Sequence, residues 1–427
     1  MMHRGRAYLL LVCLLALGLA ATSQSQAAPD ASTRFQSLLA RMHQAYSRSQ
    51  WKDYQAESAE FMDLLHGSTD ALLERARADA RMGDAPAALR DLLSIARMGV
   101  SQPKVQTLAD FSALHSQPAF RSVLREMASD MKPVSHSRQA FVLSDPGLLP
   151  EDIAYDPGRG EFLLTSVLEA KIVGVTPGGQ MRTFASAPDG WPMLAVKIDG
   201  AHHVLWATEV ALRRFHGVPR HDWGRSVILE YDLRSGRLLR RIEGPGKSQL
   251  GDMALSPAGD LLASDSNGGG LYLVRRGKQK LSHLPTNDFA FPMTPAFLAP
   301  ERVFIPDYVR GIGLLDLTTD RVTWLPMERR YALQGTDGLY WHQGKLIAVQ
   351  NGFAPQRVLS FTLEAGRARV SAQQIIDSGP SLDPTHGVIV SGSLYYIANA
   401  GWRQLSDDGT VRHGARLTPA IVMRTRL

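Results

Sequence analysis

Residues 150–166 read Pro150-Glu151-Asp152-Ile153-Ala154-Tyr155-Asp156-Pro157-Gly158-Arg159-Gly160-Glu161-Phe162-Leu163-Leu164-Thr165-Ser166. Two short apolar runs flank Asp156-Pro157-Gly158, whose residue types build a tight turn. The second run ends in small polar residues. This is a strand, a turn and a second strand. The unit recurs, with second strands ending at Leu205-Trp206-Ala207-Thr208-Glu209, Leu261-Leu262-Ala263-Ser264-Asp265, Val303-Phe304-Ile305-Pro306-Asp307, Leu346-Ile347-Ala348-Val349-Gln350-Asn351 and Tyr395-Tyr396-Ile397-Ala398-Asn399. With Thr165, Thr208, Ser264, Pro306, Val349 and Ala398 as equivalents, each interval is roughly 40–60 residues, which suits one four-stranded blade. Third strands follow, as in Ile172–Val175, Val227–Asp232 and Val358–Phe361. Six units predict a mainly β fold, a six-bladed β-propeller over residues 137–427. Closing the ring removes the exposed edges of an open sheet. Gln139–Leu143 is the candidate outer strand that locks the sixth blade.

Upstream, over residues 31–132, the period changes to a helical one. Phe35, Leu38, Leu39, Met42 and Tyr46 share one helix face; Trp51, Tyr54, Phe61, Met62 and Leu65 continue in a second helix. Gly67-Ser68 ends that helix, and Ser68 or Thr69 can cap the next. Ala71–Met82 and Ala85–Met98 are Ala/Leu-rich and are separated by Gly83-Asp84. The string Ala80-Arg81-Met82-Gly83-Asp84-Ala85-Pro86-Ala87-Ala88-Leu89 resembles the centre of a tetratricopeptide repeat, where small residues let two helices approach. Such a segment can bind a protein partner or serve as a spacer docked on the propeller. Only about two units are present, fewer than a free-standing solenoid needs, which favours docking.

The first 28 residues have the layout of a secretory signal peptide. His3, Arg4 and Arg6 precede the apolar run Ala7–Ala21, and Ser23–Ala28 are small and polar, with cleavage expected near Ala27. The run is too short to span a bilayer comfortably. The single cysteine, Cys13, lies inside it without the small residues that precede a lipoprotein cleavage site. The mature chain therefore lacks disulfides, a thiolate nucleophile and a Cys-based zinc site. The expected location is periplasmic or secreted, the lack of disulfides favouring a periplasm. No membrane attachment is expected after cleavage. The formal charge of +6 is scattered in short pairs such as Arg275-Arg276, which argues against a nucleic-acid partner.

In a propeller the inner strand of each blade starts at the top of the central channel. That geometry assigns Glu151, Asp252, Thr294, Asp337 and His386 to the channel mouth in blades one, three, four, five and six; blade two is ambiguous near Pro192-Met193-Leu194. A second set, Glu209, Asp265, Asp307, Asn351 and Asn399, ends the second strands and is expected on the same face. Packed carboxylates repel unless a cation or a proton neutralises them. Oxygen donors suit a hard divalent metal, Ca2+ first, with Mg2+ or Mn2+ as alternatives. Carboxylates capping turns around a water-filled channel are the competing account. The interval through blade two is the longest and holds His216, His221, Asp222 and Trp223, a candidate lid or substrate contact. No Gly-x-Ser-x-Gly elbow or His-Glu-x-x-His helix occurs, and Gly268-Gly269-Gly270 reads as a turn.

Pro150–Pro157 resembles the first blade of the senescence marker protein/gluconolactonase/luciferin-regenerating family, and Thr336-Asp337-Gly338-Leu339-Tyr340-Trp341 resembles its Pro-Asp-Gly strand. Glu151-Asp152 and Gln350-Asn351-Gly352 are also similar to paraoxonase-like arylesterases. The resemblance covers about residues 140–427. It implies a divalent metal held by inner-strand Glu, Asp and Asn, with Glu151 and Asp337 at ligand positions. Where the family has Asn, this chain has Asp252 and Thr294. The implied activity is hydrolysis of lactones or related esters, a small-molecule substrate. Glu151, Asp252, Thr294 and Asp337 would hold the ion, Asp337 and His386 would act in catalysis, and Asn351 would contact substrate beside the lid residues. The alternative is a non-catalytic periplasmic propeller, a binding or assembly module whose helical segment faces a partner.

Overall fold

The computed structural model describes residues 29–278 and 280–427. The signal-peptide segment and Cys13 lie outside them. Five α-helices come first: α1 (Ala31–Ser47), α2 (Trp51–Leu64), α3 (Thr69–Arg81), α4 (Ala85–Arg97) and α5 (Pro118–Asp130). Their starts follow the sequence: the side chains of Asp30, Ser68 and Asp84 each accept a backbone N–H of the first turn in α1, α3 and α4. Gly83, with φ of 85°, makes the reversal between α3 and α4.

Six antiparallel sheets follow. Blade one is β3 (Pro150–Asp156), β4 (Glu161–Ser166), β5 (Lys171–Val175) and β6 (Met181–Ser186). Blade two is β7 (Met193–Asp199), β8 (Val204–Val210), β9 (Ser226–Asp232) and β10 (Leu238–Glu243). Blade three is β11 (Leu250–Leu255), β12 (Leu261–Asp265), β13 (Leu271–Val274) and β14 (Leu281–His283). Blade four is β15 (Ala296–Ala299), β16 (Arg302–Asp307), β17 (Gly311–Asp316) and β18 (Arg321–Trp324). Blade five is β19 (Thr336–His342), β20 (Lys345–Gln350), β21 (Gln356–Leu363) and β22 (Val370–Gly379), extended by β1 (Val134–Ser135). Blade six is β23 (Gly387–Val390), β24 (Ser393–Ile397) and β25 (Ile421–Arg426), closed by β2 (Arg138–Val142).

The ring is thus locked by its N-terminal strand pairing with its C-terminal one. The crossing from blade five to blade six is pinned by one buried carboxylate. Asp377 accepts the backbone N–H groups of His136 and Ser137 and the hydroxyls of Ser137 and Tyr396. Second strands alternate little in polarity because blades are covered on both faces; every residue of β4 and β12 is buried.

The helical segment docks on the propeller, over the loops that open onto the channel mouth. Phe35 and Phe61 pack with Phe291 and Val309, and the Phe35 and Phe291 rings meet edge to face at 5.2 Å. α3, α4 and α5 share a core with the blade-four and blade-five residues Phe304, Ile312, Leu339 and Phe361. Two buried propeller arginines close the joint. Arg310 donates from Nε to the carbonyl of Leu64, the last residue of α2, at 2.8 Å. Arg357 donates from Nη1 to the carbonyls of Met98 and Gly99, just past α4, at 3.4 and 3.0 Å. Each places a cation at the negative end of a helix and satisfies carbonyls that have no partner within it.

Candidate metal centre at the channel mouth

Four inner strands break register at the same depth. Between β3 and β4 the pairing jumps from Pro150↔Ser166 to Ile153↔Leu164, between β7 and β8 from Met193↔Glu209 to Val196↔Ala207, between β11 and β12 from Leu250↔Asp265 to Asp252↔Ser264, and between β19 and β20 from Thr336↔Gln350 to Gly338↔Val349. Each is a bulge, which bends the strand and re-aims its side chains. Glu151, Asp252 and Asp337 sit on three of them. Second-strand hydroxyls take up backbone groups at this depth. Thr165 Oγ1 accepts from Asp152 N and donates to the carbonyl of Leu194, and Thr208 Oγ1 accepts from Ala195 N. Ser264 Oγ donates to the carbonyl of Met293. Thr165 and Thr208 thus take up backbone groups freed by the bulges of blades one and two, the first of which carries Glu151.

His386, Asp252 and Thr294 form one buried cluster. His386 Nε2 lies 2.8 Å from Asp252 Oδ1 and 2.9 Å from Thr294 Oγ1. Its Nδ1 lies 2.9 Å from the carbonyl oxygen of Glu151, which can only accept, so Nδ1 carries a proton. Asp337 Oδ1 stands 3.9 Å from His386 Nε2. Ligand atoms of Glu151, Asp337 and His386 lie within 4.8 Å of one another. All of these side chains are buried except Glu151, which is half-buried.

Outer partners orient the carboxylates. Trp402 Nε1 donates to Glu151 Oε2 at 2.5 Å. Asn351 Nδ2 donates to Asp337 Oδ2 at 2.6 Å, and Tyr308 donates to Asn351 Oδ1 at 2.9 Å. Burial pushes the Glu151 carboxyl well up from its ordinary value, and the charge of Asp337 adds to that. Burial also raises Asp337, against the pull of His386 and the Asn351 hydrogen bond. Burial alone would lower His386, but the Asp337 charge and the Asp252 hydrogen bond outweigh it and hold the imidazole well above its usual range.

Two carboxylates and an imidazole nitrogen converge here without a cationic side chain other than His386 among the described residues. This Glu/Asp/His set can coordinate a divalent metal. The Nδ1–H to carbonyl bond is the outer contact that fixes a metal-ligating histidine and leaves Nε2 as the donor atom.

The second sequence set divides, contrary to the expectation that it meets the first. Glu209 accepts from the backbone of Asp189 and Trp191, Asp265 from Gln249, Asn267 and Gly268, Asp307 from Ala290, Phe291, Val309 and Arg310, and Asn399 from Ile421. These four cap loops. Only Asn351 turns toward the centre. Asp152 also leaves it: its carboxylate takes Val196 N and the ammonium of Lys197 in blade two.

The loop between β8 and β9 holds His216, His221 and Trp223. The histidines are exposed, His221 beside Asp222 at 3.4 Å, and Trp223 donates to the carbonyl of Val218. That loop packs on the long loop of blade six, where His216 N donates to the carbonyl of Asp408 at 2.6 Å. Among the described residues no hydrogen bond, ion pair or ring contact joins these three side chains to the cluster. Trp402 and Tyr308 were not singled out from sequence. Their signal was an aromatic shortly after a strand-ending Asn or Asp, in Asn399-Ala400-Gly401-Trp402 and Asp307-Tyr308.

No family model matches the chain, and no curated protein matches it. Among solved structures, the PQQ-bound aldose sugar dehydrogenase of Streptomyces coelicolor is similar at 14% identity, covering 69% of this chain and 98% of that one, with a TM-score of 0.48. Virginiamycin B lyase from Staphylococcus aureus is similar at 11% identity, covering 69% and 100%, with a TM-score of 0.44. A gluconolactonase from Xanthomonas campestris is similar at 12% identity, covering 67% and 89%, with a TM-score of 0.45. At this distance the three say nothing about what this chain binds or does, and its six-bladed architecture rests on its own sheet topology.

Proposed function

We propose that this protein is an exported, divalent-metal-dependent hydrolase of lactones or related esters, working at the channel mouth. The observation that carries the reading is the convergence of half-buried Glu151 with buried Asp337 and His386 from three separate blades, each held by further hydrogen bonds. Glu151, Asp337 and His386 would hold the ion, with Asp252 and Thr294 alongside. The imidazole nitrogen weighs toward Mn2+ or Zn2+ rather than Ca2+, which prefers oxygen alone. A bound ion supplies Lewis-acid polarisation of a substrate carbonyl.

The chain's own groups supply the rest. Trp402 and Asn351 fix the carboxylates, so the site is set before substrate arrives. His386 holds the exchangeable proton at Nε2, against Asp252, and offers its lone pair when a cation replaces that proton. Asp252, once released from His386, is the carboxylate free to take a proton from attacking water. Export to a periplasm or beyond belongs to the same reading, resting on residues 1–28.

One observation favours a non-catalytic module instead. His386 Nε2 already has two partners, so the cluster is satisfied without an ion. Elemental analysis of the purified mature protein, with lactone and ester turnover of the native chain and Asp337→Asn, separates the two. Stoichiometric metal, and turnover lost in the folded variant, is the expected result. No metal uptake and no turnover would leave the binding module, with residues 31–132 as its partner-facing arm.

A further inference from the structure

Closing the ring places two like charges together. Arg138 of β2 stands directly opposite Arg424 of β25. Arg426 lies two residues along and so shares that face. Like charges directly opposite weaken a sheet. Among the described residues none of the three arginines forms an ion pair; Arg424 donates to Ser393 Oγ at 3.1 Å and stacks 5.4 Å from the centre of the Tyr395 ring.

Beside them is a cavity of about 390 Å³, between blades six and one. Its wall includes Arg138, Arg424, Tyr155, Tyr395, Phe141 and Phe162. The aromatic rings brace one another: Phe162 lies 5.1 Å from Phe141, 4.9 Å from Tyr155 and 4.8 Å from Tyr395. A neighbouring cavity of about 280 Å³ shares Arg138 and Arg424 and adds His136 and Arg426. Tyr155 is near the far end of β3 from Glu151, so this space is remote from the channel mouth.

We propose that this cavity binds an organic phosphomonoester with an aromatic or similarly flat body. The guanidinium fork matches phosphate oxygens in pairs. Two arginines on its wall and Arg426 on the adjoining one, none of them ion-paired, call for more charge than one carboxylate brings, and a phosphomonoester carries about −2 at neutral pH. Half-buried Tyr155 and Tyr395 take the organic body, with Phe141 and Phe162 buried behind them. An anion between Arg138 and Arg424 also removes the cross-strand repulsion.

The test is calorimetric titration of the EDTA-treated full protein with phenyl phosphate, inorganic phosphate and phenol at near-physiological salt. Phenyl phosphate should saturate one site about tenfold more tightly than inorganic phosphate, with phenol silent. Arg138→Gln combined with Arg424→Gln should weaken it by about tenfold or more, and Arg426→Gln, at an exposed position that the fold does not need, by about threefold. Asp337→Asn should leave it unchanged, which separates this site from the channel. Phenyl phosphate binding no tighter than inorganic phosphate, no saturable binding, or full affinity in Arg426→Gln and in the double variant would each overturn the proposal.

Discussion

His386 Nε2 lies 2.8 Å from Asp252 Oδ1 at the centre of the propeller, while the opposite ring nitrogen faces the carbonyl oxygen of Glu151. Both nitrogens therefore face acceptors, and the ring is held as an imidazolium among three acids. One internal cation stands where a metal ion can also be held.

Removing that cation leaves buried carboxylates uncompensated. His386→Gln should destabilise the EDTA-treated protein by about 3 kcal/mol, the scale of breaking a buried charge pair. Urea unfolding of native and variant proteins measures it. Loss of less than about 0.5 kcal/mol would mean that water, not His386, balances these acids.

Trp402→Phe keeps a ring over Glu151 but deletes the N–H that favours its ionised form. Mn2+ should then bind about 3–10-fold more weakly at pH 7, with the fold intact. Titration followed by calorimetry reads this, and unchanged affinity would detach Trp402 from the site.

Glu209 sets a pH dependence of its own. It is fully buried, Oε1 accepts two backbone N–H groups and Oε2 has no partner. Burial pushes the carboxyl from 4.5 up to about 7, against those hydrogen bonds. A folded value above the unfolded one means stability is full below pH 4.5 and is lost as pH rises through about 7. In Glu209→Gln the fall in melting temperature between pH 4.5 and 8 should shrink. An identical slope in both proteins would show that Glu209 stays ionised throughout.

Arg357 joins the two parts of the chain. Nε donates to Gln350 Oε1 and Nη1 to the carbonyls after α4. Burial holds its guanidinium down at about 10. Arg357→Met removes a buried charge but strands those acceptors, each costing about 1–3 kcal/mol. The helical segment should loosen, and trypsin should cut at Arg97 or Lys104 in the variant before it cuts the native protein. Equal cutting rates would show that Arg357 does not hold the helical segment, leaving Arg310 and the shared apolar core to dock it.

Much of this was legible in the chain itself. Short apolar runs ending in Thr165, Thr208 and Ser264 marked the blades, and the glycine at position 83 marked the helical hairpin. Inner-strand position was enough to name Glu151, Asp252, Thr294, Asp337 and His386, because strand starts in a propeller face one channel. Sequence could not tell Asp265, Asp307 and Glu209, which cap loops, from Asn351, which enters the site. All four end a second strand, and their difference lies in which backbone N–H groups the returning loop presents.

What the sequence determined by itself was periodic and local: strand, turn, helix and cap, each set by neighbours a few residues apart. What only the tertiary structure decided was pairing across the ring. The bulges at Glu151, Asp252 and Asp337, the turning of Asp152 to Lys197, the arrival of Trp402 over Glu151 and the meeting of Arg138 with Arg424 all join segments far apart in the chain. Such contacts exist only after closure, when six blades share one axis and the first strand completes the last.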